Sequence, residues 1–169
     1  ISTKKIGRIL FIQAEHGSYM PDWHPNENYK KSYASQKKMG GGVVLTSIHE
    51  LDYLYWIFGD ITEIFSITGK YSDLGIDAED LSSILLKFKN NIVGEVHLDY
   101  FQKPSNRGCK IVGTKGTLTW NISKNTVNFF NNKTGKWKKL FEMKNFDFNL
   151  TYIEEIKHFI HCSKIDKKT

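Results

Sequence analysis

Alternation of apolar and polar residues predicts β-strands over much of this chain. The segments 61–71 and 94–101 alternate residue by residue, and the segment from Ile6 to Glu15 is rich in Ile, Leu and Phe. A period of two places the apolar side chains of a strand on one face. Because burial on one face is typical of antiparallel sheets, we expect a mainly antiparallel sheet. Asn90-Asn91 and the segments 113–116 and 131–135 predict the turns of this sheet.

Two segments have helical periodicity instead. From Val43 to Phe58, apolar residues recur at helical spacing and predict a stripe that faces the core, and Gly59 then predicts the end of the helix. The stripe consists of Val44, Ile48, Leu51, Tyr55 and Phe58. A closing helix is predicted over 150–162, with Tyr152, Ile153, Ile156, Phe159 and Ile160 facing inward. The fold class is therefore predicted to be α+β, a large, mainly antiparallel open sheet with helices packed on one face.

Composition indicates an ordered, soluble domain. The chain has 169 residues, of which 40% are hydrophobic and 14% aromatic, so it can bury a substantial core. A mean hydropathy of −0.43 and the lack of a long apolar run exclude a conventional transmembrane helix, and no membrane partner is expected. Cys109 and Cys162 are far apart in sequence, which is typical of free thiols in a reducing cytoplasm. We therefore expect a single cytoplasmic domain over 1–169.

The net charge of +6 raises the alternative of nucleic-acid binding. Most of the excess consists of lysines in the last third of the chain, where they alternate with apolar residues. Arginine is scarce, and no nucleic-acid-binding module is recognisable. The pattern favours solvated strand faces, and no nucleic-acid partner is expected.

Candidate chemistry is concentrated in the helix predicted over 43–58. Beside its apolar stripe lies an arc of short polar and aromatic side chains that includes Thr46, His49 and Asp52. Asp52 follows His49 by one helical turn, and a carboxylate beside an imidazole can orient it for proton transfer near neutral pH. The alternative is a buried histidine that a carboxylate holds for structural reasons, and spacing alone favours that alternative.

Three other groups of residues were candidate ligand sites. The loop that contains Tyr19, Trp23 and His24 could contact a ligand or pack over the core. Gly40–Gly42 precede the predicted helix but lack both nucleotide-binding patterns, so close backbone approach explains them better. His158, His161 and Cys162 share a helix but have no supporting ligand motif, and no metal site is predicted.

The run from Gly40 to Gly59, GGGVVLTSIHELDYLYWIFG, resembles the signature of the Gfo/Idh/MocA oxidoreductases. That family has a glycine-rich entry, then a helix with a catalytic-site histidine followed three residues later by aspartate. The segment 19–25 is similar to a loop in a branch that acts on nucleotide-linked or amino sugars, and 107–120 resembles a strand–turn–strand segment of the family. The resemblance covers nearly the whole chain.

The resemblance implies an excised C-terminal, substrate-side domain of a dehydrogenase. An N-terminal Rossmann domain, absent from this chain, would bind most of NAD or NADP and supply a catalytic lysine, so the cofactor-binding residues are unknown here. The substrate would be a sugar, nucleotide-sugar or cyclitol whose hydroxyl is oxidised or formed. The open face of the sheet would join copies of the chain in a homo-oligomer.

The same resemblance assigns roles to residues of this chain. His49 and Asp52 are the implied catalytic residues, and five others are candidate substrate contacts. These are Thr46, Tyr19, Trp23, His24 and Arg107. Many relatives have aspartate where Thr46 stands, so this threonine puts the role of that position in question. The alternative function is a non-catalytic binding or dimerisation module without redox chemistry.

Overall fold

A computed structural model shows one mixed sheet with helices on one face, and it describes residues 3–147 and 149–165. The helices in these ranges are α1 Thr3–Ile6, α2 Val43–Thr46, α3 His49–Phe58 and α4 Asn149–Lys164. The strands are β1 Ile9–Gly17, β2 Ile61–Gly69, β3 Leu81–Phe88, β4 Val93–Asp99, β5 Asn106–Gly113, β6 Gly116–Asn121, β7 Thr126–Asn131 and β8 Lys136–Glu142. Four short 3₁₀ turns occupy much of the segment between β1 and α2. Within the described ranges, no helix is both long and apolar enough to span a bilayer.

The strand order is β2-β3-β4-β1-β5-β6-β7-β8. The central strand β1 pairs in parallel with β4 and antiparallel with β5, and every other described pair is antiparallel. The predicted α+β class and the mainly antiparallel sheet are confirmed, as are the turns at 90–91, 113–116 and 131–135. The first strand begins at Ile9 rather than Ile6, because Ile6 belongs to α1 and Gly7 turns the chain with a φ of 77°.

The core lies between the sheet and its helices. Alternate residues of paired strands, such as Ile12 opposite Ile111 and Ala14 opposite Val96, point to the helices and are buried. Side chains from α2 and α3 join this cluster, which contains Val43, Leu54 and Phe58 among others. The intervening residues point to the opposite face, which no described helix covers and which we call the open face. Phe65 and Leu85 pair across this face and are 65% and 49% exposed.

The helix predicted over 43–58 is two helices, and its buried stripe differs from the prediction. Ser47, with φ −104° and ψ 26°, interrupts the helical conformation between α2 and α3. Glu50, Leu54 and Phe58 form the buried stripe of α3, because the charged Glu50 occupies a core position where it pairs with Arg107. Ile48 and Tyr55, which were expected in the core, are exposed. Gly59 ends the helix as predicted, with a φ of 82°.

Two segments that were expected to be half-buried are exposed. In β2, all residues from Thr62 to Thr68 are exposed, because β2 is an edge strand that no described helix covers. The inward face predicted for α4 is also exposed: Tyr152, Ile153, Ile156, Phe159 and Ile160 all lie at the surface. Only Cys162 of α4 is buried among the described residues. Periodicity shows which residues share a face, but it does not show whether another element covers that face.

The glycine-rich segment before α2 follows a tightly packed path, as its sequence predicted. Gly41 is buried, and a β-carbon there would collide with the backbone carbonyls of Tyr33 and Ala34. Gly42 has a φ of 113°, and a β-carbon there would meet the Glu79 carboxylate. The backbone N–H of Gly42 donates to Ala34 O, and that of Val43 donates to Glu79 O. These contacts fix where α2, and after it α3, enter the core.

We expect Gly41→Ala to lower the free energy of unfolding by about 3 kcal/mol, because backbone atoms would have to move to admit the methyl group. Gly40→Ala is the matched control, since Gly40 has a φ of 76° but open space around it. That substitution should cost only the backbone strain of about 1–2 kcal/mol. Urea denaturation measures both values, and equal losses would contradict the close-approach explanation.

Candidate functional site

A fully buried carboxylate stands at the centre of the candidate site. Glu50, in the first turn of α3, is 0% exposed and lies on the same stripe as Leu54 and Phe58. The Nε of Arg107 donates a hydrogen bond to Glu50 Oε1 at 2.6 Å. A buried carboxylate is very unfavourable without a partner, so this pair determines where α3 meets the first residues of β5.

His16 lies beside this pair. It is directly opposite Arg107 in the pairing of β1 with β5, on the face that packs against α3. Its Nδ1 is 3.9 Å from Glu50 Oε1, which is too far for a hydrogen bond. Burial, followed by the electrostatic effect of the nearby Arg107 and His49, lowers the pKa of His16 to about 4. The imidazole is therefore neutral near pH 7 and does not form an ion pair with Glu50.

Tyr53 lies one turn after Glu50 on α3 and completes a buried polar cluster. Burial raises the pKa of its phenol, and the nearby Cys109 and Glu50 raise it further, so Tyr53 stays protonated. The Tyr53 hydroxyl, Glu50 Oε2 and His16 Nδ1 are buried without a hydrogen-bond partner among the described residues. These three atoms, one of which is the second oxygen of the carboxylate, indicate a place for a bound water or a ligand atom.

An open cavity of about 530 Å³ borders this cluster, and His49 and Arg107 both line it. The guanidinium of Arg107 lies 6.0 Å from the centre of the Trp120 ring, which also lines the cavity. Apolar side chains of β7, β8 and the loop after β8 form much of the remaining wall, among them Val127, Phe141 and Met143. The cavity therefore combines an imidazole, a fixed guanidinium and an aromatic surface, and its volume suits a small molecule.

The structure brings two of the predicted site residues together and places the others elsewhere. His49 and Arg107 share the cavity, but the lining does not include Asp52, Thr46, Tyr19, Trp23 or His24. Asp52 is exposed, and no hydrogen bond joins it to His49 within residues 3–147 and 149–165. The Thr46 hydroxyl is buried beside that of Tyr100. The roles proposed for these residues stay predictions.

The aromatic loop after β1 packs over the core and against its own neighbours. Trp23 donates from Nε1 to Ser18 Oγ at 2.9 Å and contacts Tyr100 edge-on. Tyr19 lies under the ammonium group of Lys103 at 4.0 Å, and His24 is exposed. Trp23 and Tyr19 thus make the packing contacts that were the alternative explanation of this loop.

Sequence reasoning gave no role to the four residues that surround the pair of His49 and Arg107, namely His16, Glu50, Tyr53 and Trp120. A signal was available for Glu50, because it shares a helical stripe with Leu54 and Phe58 and so occupies a core position. His16 and Trp120 give no comparable signal, because only the pairing of their strands with β5 brings them to this site.

No metal centre is evident in the part of the chain that the structure describes. No group of three or more His, Cys, Asp or Glu side chains converges there as metal ligands would. His158 lies near the Cys162 sulfur, 3.5 Å from Nε2, and this is a contact within one helix.

The lowered pKa of His16 predicts a pH dependence of stability. Between pH 6.5 and about 4, the unfolded chain binds a proton at His16 that the folded chain does not bind. The free energy of unfolding should therefore fall by up to about 3 kcal/mol as the pH decreases through this range. His16→Gln removes the titrating imidazole. The free energy of unfolding, measured by urea denaturation at about pH 7 and about pH 4.5, should therefore fall less in this variant than in the wild type.

His97 provides a control of opposite sign. Its hydrogen bond with Asp99 raises the pKa of His97 in the folded state. The stabilisation from His97 is therefore complete below pH 6.5 and is lost as the pH rises through that raised pKa. The difference in stability between the wild type and His97→Gln should thus be larger at acidic pH than at neutral pH. If both variants changed the pH dependence in the same direction, the explanation for His16 would be wrong.

Two solved structures with a similar fold are dehydrogenases. Levoglucosan dehydrogenase in complex with NADH and levoglucosan matches with a TM-score of 0.81 and 16% identity, over 98% of this chain and 52% of that one. The WlbA dehydrogenase from Bordetella pertussis, in complex with NADH and UDP-GlcNAcA, matches with a TM-score of 0.70 and 19% identity, over 98% of this chain and 48% of that one. A search of curated proteins gave no match.

The chain spans about half the length of these structures, and at such identities they establish the fold alone. The family is shown by comparison of the sequence with family models. The family model described as the GFO/IDH/MocA C-terminal domain matches residues 1–119. That match covers well over half of the chain and includes His16, Glu50 and Arg107. The chain therefore belongs to the GFO/IDH/MocA family of oxidoreductases, within its C-terminal domain.

Proposed function

We propose that this chain forms the substrate side of the active site in a longer NAD(P)-dependent oxidoreductase. The substrate would be a sugar, nucleotide-sugar or cyclitol that reacts at a hydroxyl-bearing carbon. The observation that carries the proposal is the cavity in which His49, Arg107 and Trp120 converge. The sugar and nucleotide-sugar ligands named for the similar structures support this substrate class.

In this proposal His49 handles the proton of the reacting hydroxyl. Oxidation of an alcohol requires the loss of the hydroxyl proton as well as of a hydride, so a proton acceptor must lie within hydrogen-bond reach of the oxygen. His49 is the exposed imidazole in the cavity, whereas His16 is half-buried and its surroundings lower its pKa to about 4. Asp52 is proposed to act through His49 as a positioning residue, which requires a contact that forms on substrate binding.

Arg107 and Trp120 are proposed to hold the substrate. Because Nε of Arg107 is bound to Glu50, the guanidinium plane is fixed, and its terminal amino groups make no hydrogen bond to the described residues. A fixed guanidinium suits a carboxylate or phosphate group of the substrate. The Trp120 ring beside it offers an apolar surface to a sugar ring. Thr46, Tyr19, Trp23 and His24 remain proposed contacts on the strength of the family resemblance alone.

The dinucleotide is proposed to bind mainly to an N-terminal domain outside this chain. The glycine-rich segment here does not fit a pyrophosphate, because the N–H groups of Gly40, Gly41 and Gly42 already donate to Lys37 O, Gln36 O and Ala34 O. A phosphate cradle needs free N–H groups. The choice between NAD and NADP is thus set by residues outside the segment 40–42.

A homo-oligomer formed through the open face is also proposed. Large apolar surfaces are exposed on or beside paired positions of β2, β3 and β4, at Phe65, Ile67, Leu85 and Val93.

A cytoplasmic location is proposed for the protein. The free thiols of Cys109 and Cys162 fit the reducing conditions of that compartment.

In the full-length protein, we expect His49→Asn to lower kcat about 100-fold or more, because the proton acceptor is lost while the shape of the cavity is kept. The measurement is nicotinamide absorbance with a panel of sugars, nucleotide sugars and cyclitols. His161→Asn is the matched control, since His161 is exposed on α4 and does not line the cavity.

Two outcomes would contradict the proposal. Unchanged kcat in His49→Asn would remove His49 from the proton transfer. A full-length protein that neither binds nicotinamide nor oxidises any member of the panel would favour the alternative, a binding or dimerisation module without redox chemistry.

For the oligomer, we expect Phe65→Lys to shift the mass measured by light scattering toward that of a single chain, because a lysine would be buried in the interface without a partner. Trp56→Lys is the control, since Trp56 is 83% exposed on α3, on the helix side of the sheet. A shift with both variants, or with neither, would argue against the open face as the interface.

A further inference from the structure

A second, larger cavity lies at the far end of the strands that form the candidate site. It has a volume of about 980 Å³, and five lysines line it: Lys5, Lys115, Lys133, Lys136 and Lys138. We call it the lysine cavity. It shares no lining residue with the cavity of His49 and Arg107, and β6, of six residues at about 3.3 Å each, separates the two by roughly 20 Å.

The fold itself brings these lysines together. The β5–β6 turn carries Lys115 and the β7–β8 turn carries Lys133, and both turns lie at one end of the sheet because Gly116 pairs with Asn131. Two backbone hydrogen bonds connect the segments, from Lys115 N to Ile6 O and from Asn132 N to Lys115 O. Lys136 and Lys138 are two residues apart on β8 and therefore share a face. Four separate segments thus supply charge to one place.

The charge of the lysine cavity is not balanced within the protein. No aspartate or glutamate lines it, and none of its five lysines forms an ion pair with a carboxylate in the part of the chain described. By contrast, Lys139 on the same strand pairs with Glu142 at 2.6 Å. Five ammonium groups without a carboxylate repel one another, and a bound anion would relieve that repulsion.

Two of the neutral polar groups of the cavity, Asn131 and Thr114, also present donors. The Asn131 side-chain oxygen accepts from the N–H groups of Lys133 and Thr134, which leaves the amide NH₂ of Asn131 to donate outward. The Thr114 hydroxyl oxygen accepts from the N–H of Arg8, which leaves its O–H as a donor. Lysine carries three donors and no acceptor. A lining of this kind selects ligands that accept hydrogen bonds and carry negative charge.

We propose that the lysine cavity binds a small-molecule anion that carries phosphate groups. Several compact ammonium charges suit the oxygens of more than one phosphate group, whereas a single carboxylate would use only one or two of them. Phe129 and Leu140 add apolar surface to the lining, which an organic part of the ligand could cover. This site would be separate from the proposed substrate site, and its ligand need not take part in the reaction there.

The test is a titration of the protein with inorganic pyrophosphate and, in a second series, with ATP, in about 0.15 M salt. We expect saturable binding, monitored by amide NMR shifts at Lys115, Lys133 and Thr134, because shifts at these residues separate this site from Arg107 and from a dinucleotide site. Tighter binding of ATP, measured at these residues, would show that the apolar wall contacts an organic group, and equal binding would show recognition of the phosphates alone. Both results support the proposed site.

Matched variants separate a specific site from the effect of net charge. Lys115→Gln/Lys136→Gln should weaken pyrophosphate binding about tenfold, because two of the five charges are removed. Lys70→Gln/Lys89→Gln changes the net charge by the same amount at exposed turns outside the cavity and should leave the affinity unchanged. Surface substitutions of this kind have little effect on folding, which thermal denaturation would verify.

Three results would overturn the proposal. One is equal weakening by the two double variants, which would attribute binding to net charge. Another is the lack of any shift at Lys115, Lys133 and Thr134 up to millimolar pyrophosphate. The third is a single-stranded oligonucleotide that binds much more tightly than ATP and spreads its shifts over the lysines of the whole surface, which would indicate a general polyanion-binding surface instead.

Discussion

The buried ion pair of Glu50 and Arg107 is the interaction on which the candidate site depends. It joins α3 to the start of β5, at a point where the carboxylate has no access to solvent. A buried carboxylate that lost its arginine would be strongly destabilising, so the position of Arg107 is coupled to the packing of the core. The same bond fixes the guanidinium plane beside Trp120 and His49. The ion pair of Glu50 and Arg107 therefore contributes both to the stability of the core and to the geometry of the cavity.

Burial divides the two histidines near this pair between different roles. His16 and His49 both lie near Arg107, yet His16 is half-buried between the sheet and α3 while His49 lines the cavity. Partial burial and the nearby Arg107 make the charged imidazole unfavourable and keep His16 neutral near pH 7, so it contributes polarity without charge. His49 is the imidazole that lines the cavity, and its proposed role in proton transfer rests on that position. The different surroundings of the two histidines, rather than their residue type, are the basis for proposing different roles.

The family resemblance and the elements it implied were readable from the sequence, but the neighbours of His49 were not. The strand alternation, the turns at 90–91 and 131–135 and the glycine entry to α2 all follow from local chemistry, and the structure has them. Of the stripe predicted for α3, only Phe58 is buried, because the charged residue Glu50 occupies a core position through its ion pair with Arg107. The predictions of a buried face for β2 and for α4 were wrong for another reason. Whether a face is covered depends on which other element packs against it.

The sequence by itself determined the fold class, the mainly antiparallel sheet and the pair of candidates His49 and Arg107. These depend on spacing, on turn residues and on motifs that neighbouring residues complete. Only the tertiary structure decided that Glu50 holds Arg107, that His16 and Trp120 flank it, and that five lysines meet at the opposite end of β6. Each of these contacts joins residues far apart in sequence, and strand register and helix phase decide them together. Local sequence patterns do not predict such contacts, because the residues that make them come together only when the chain has folded.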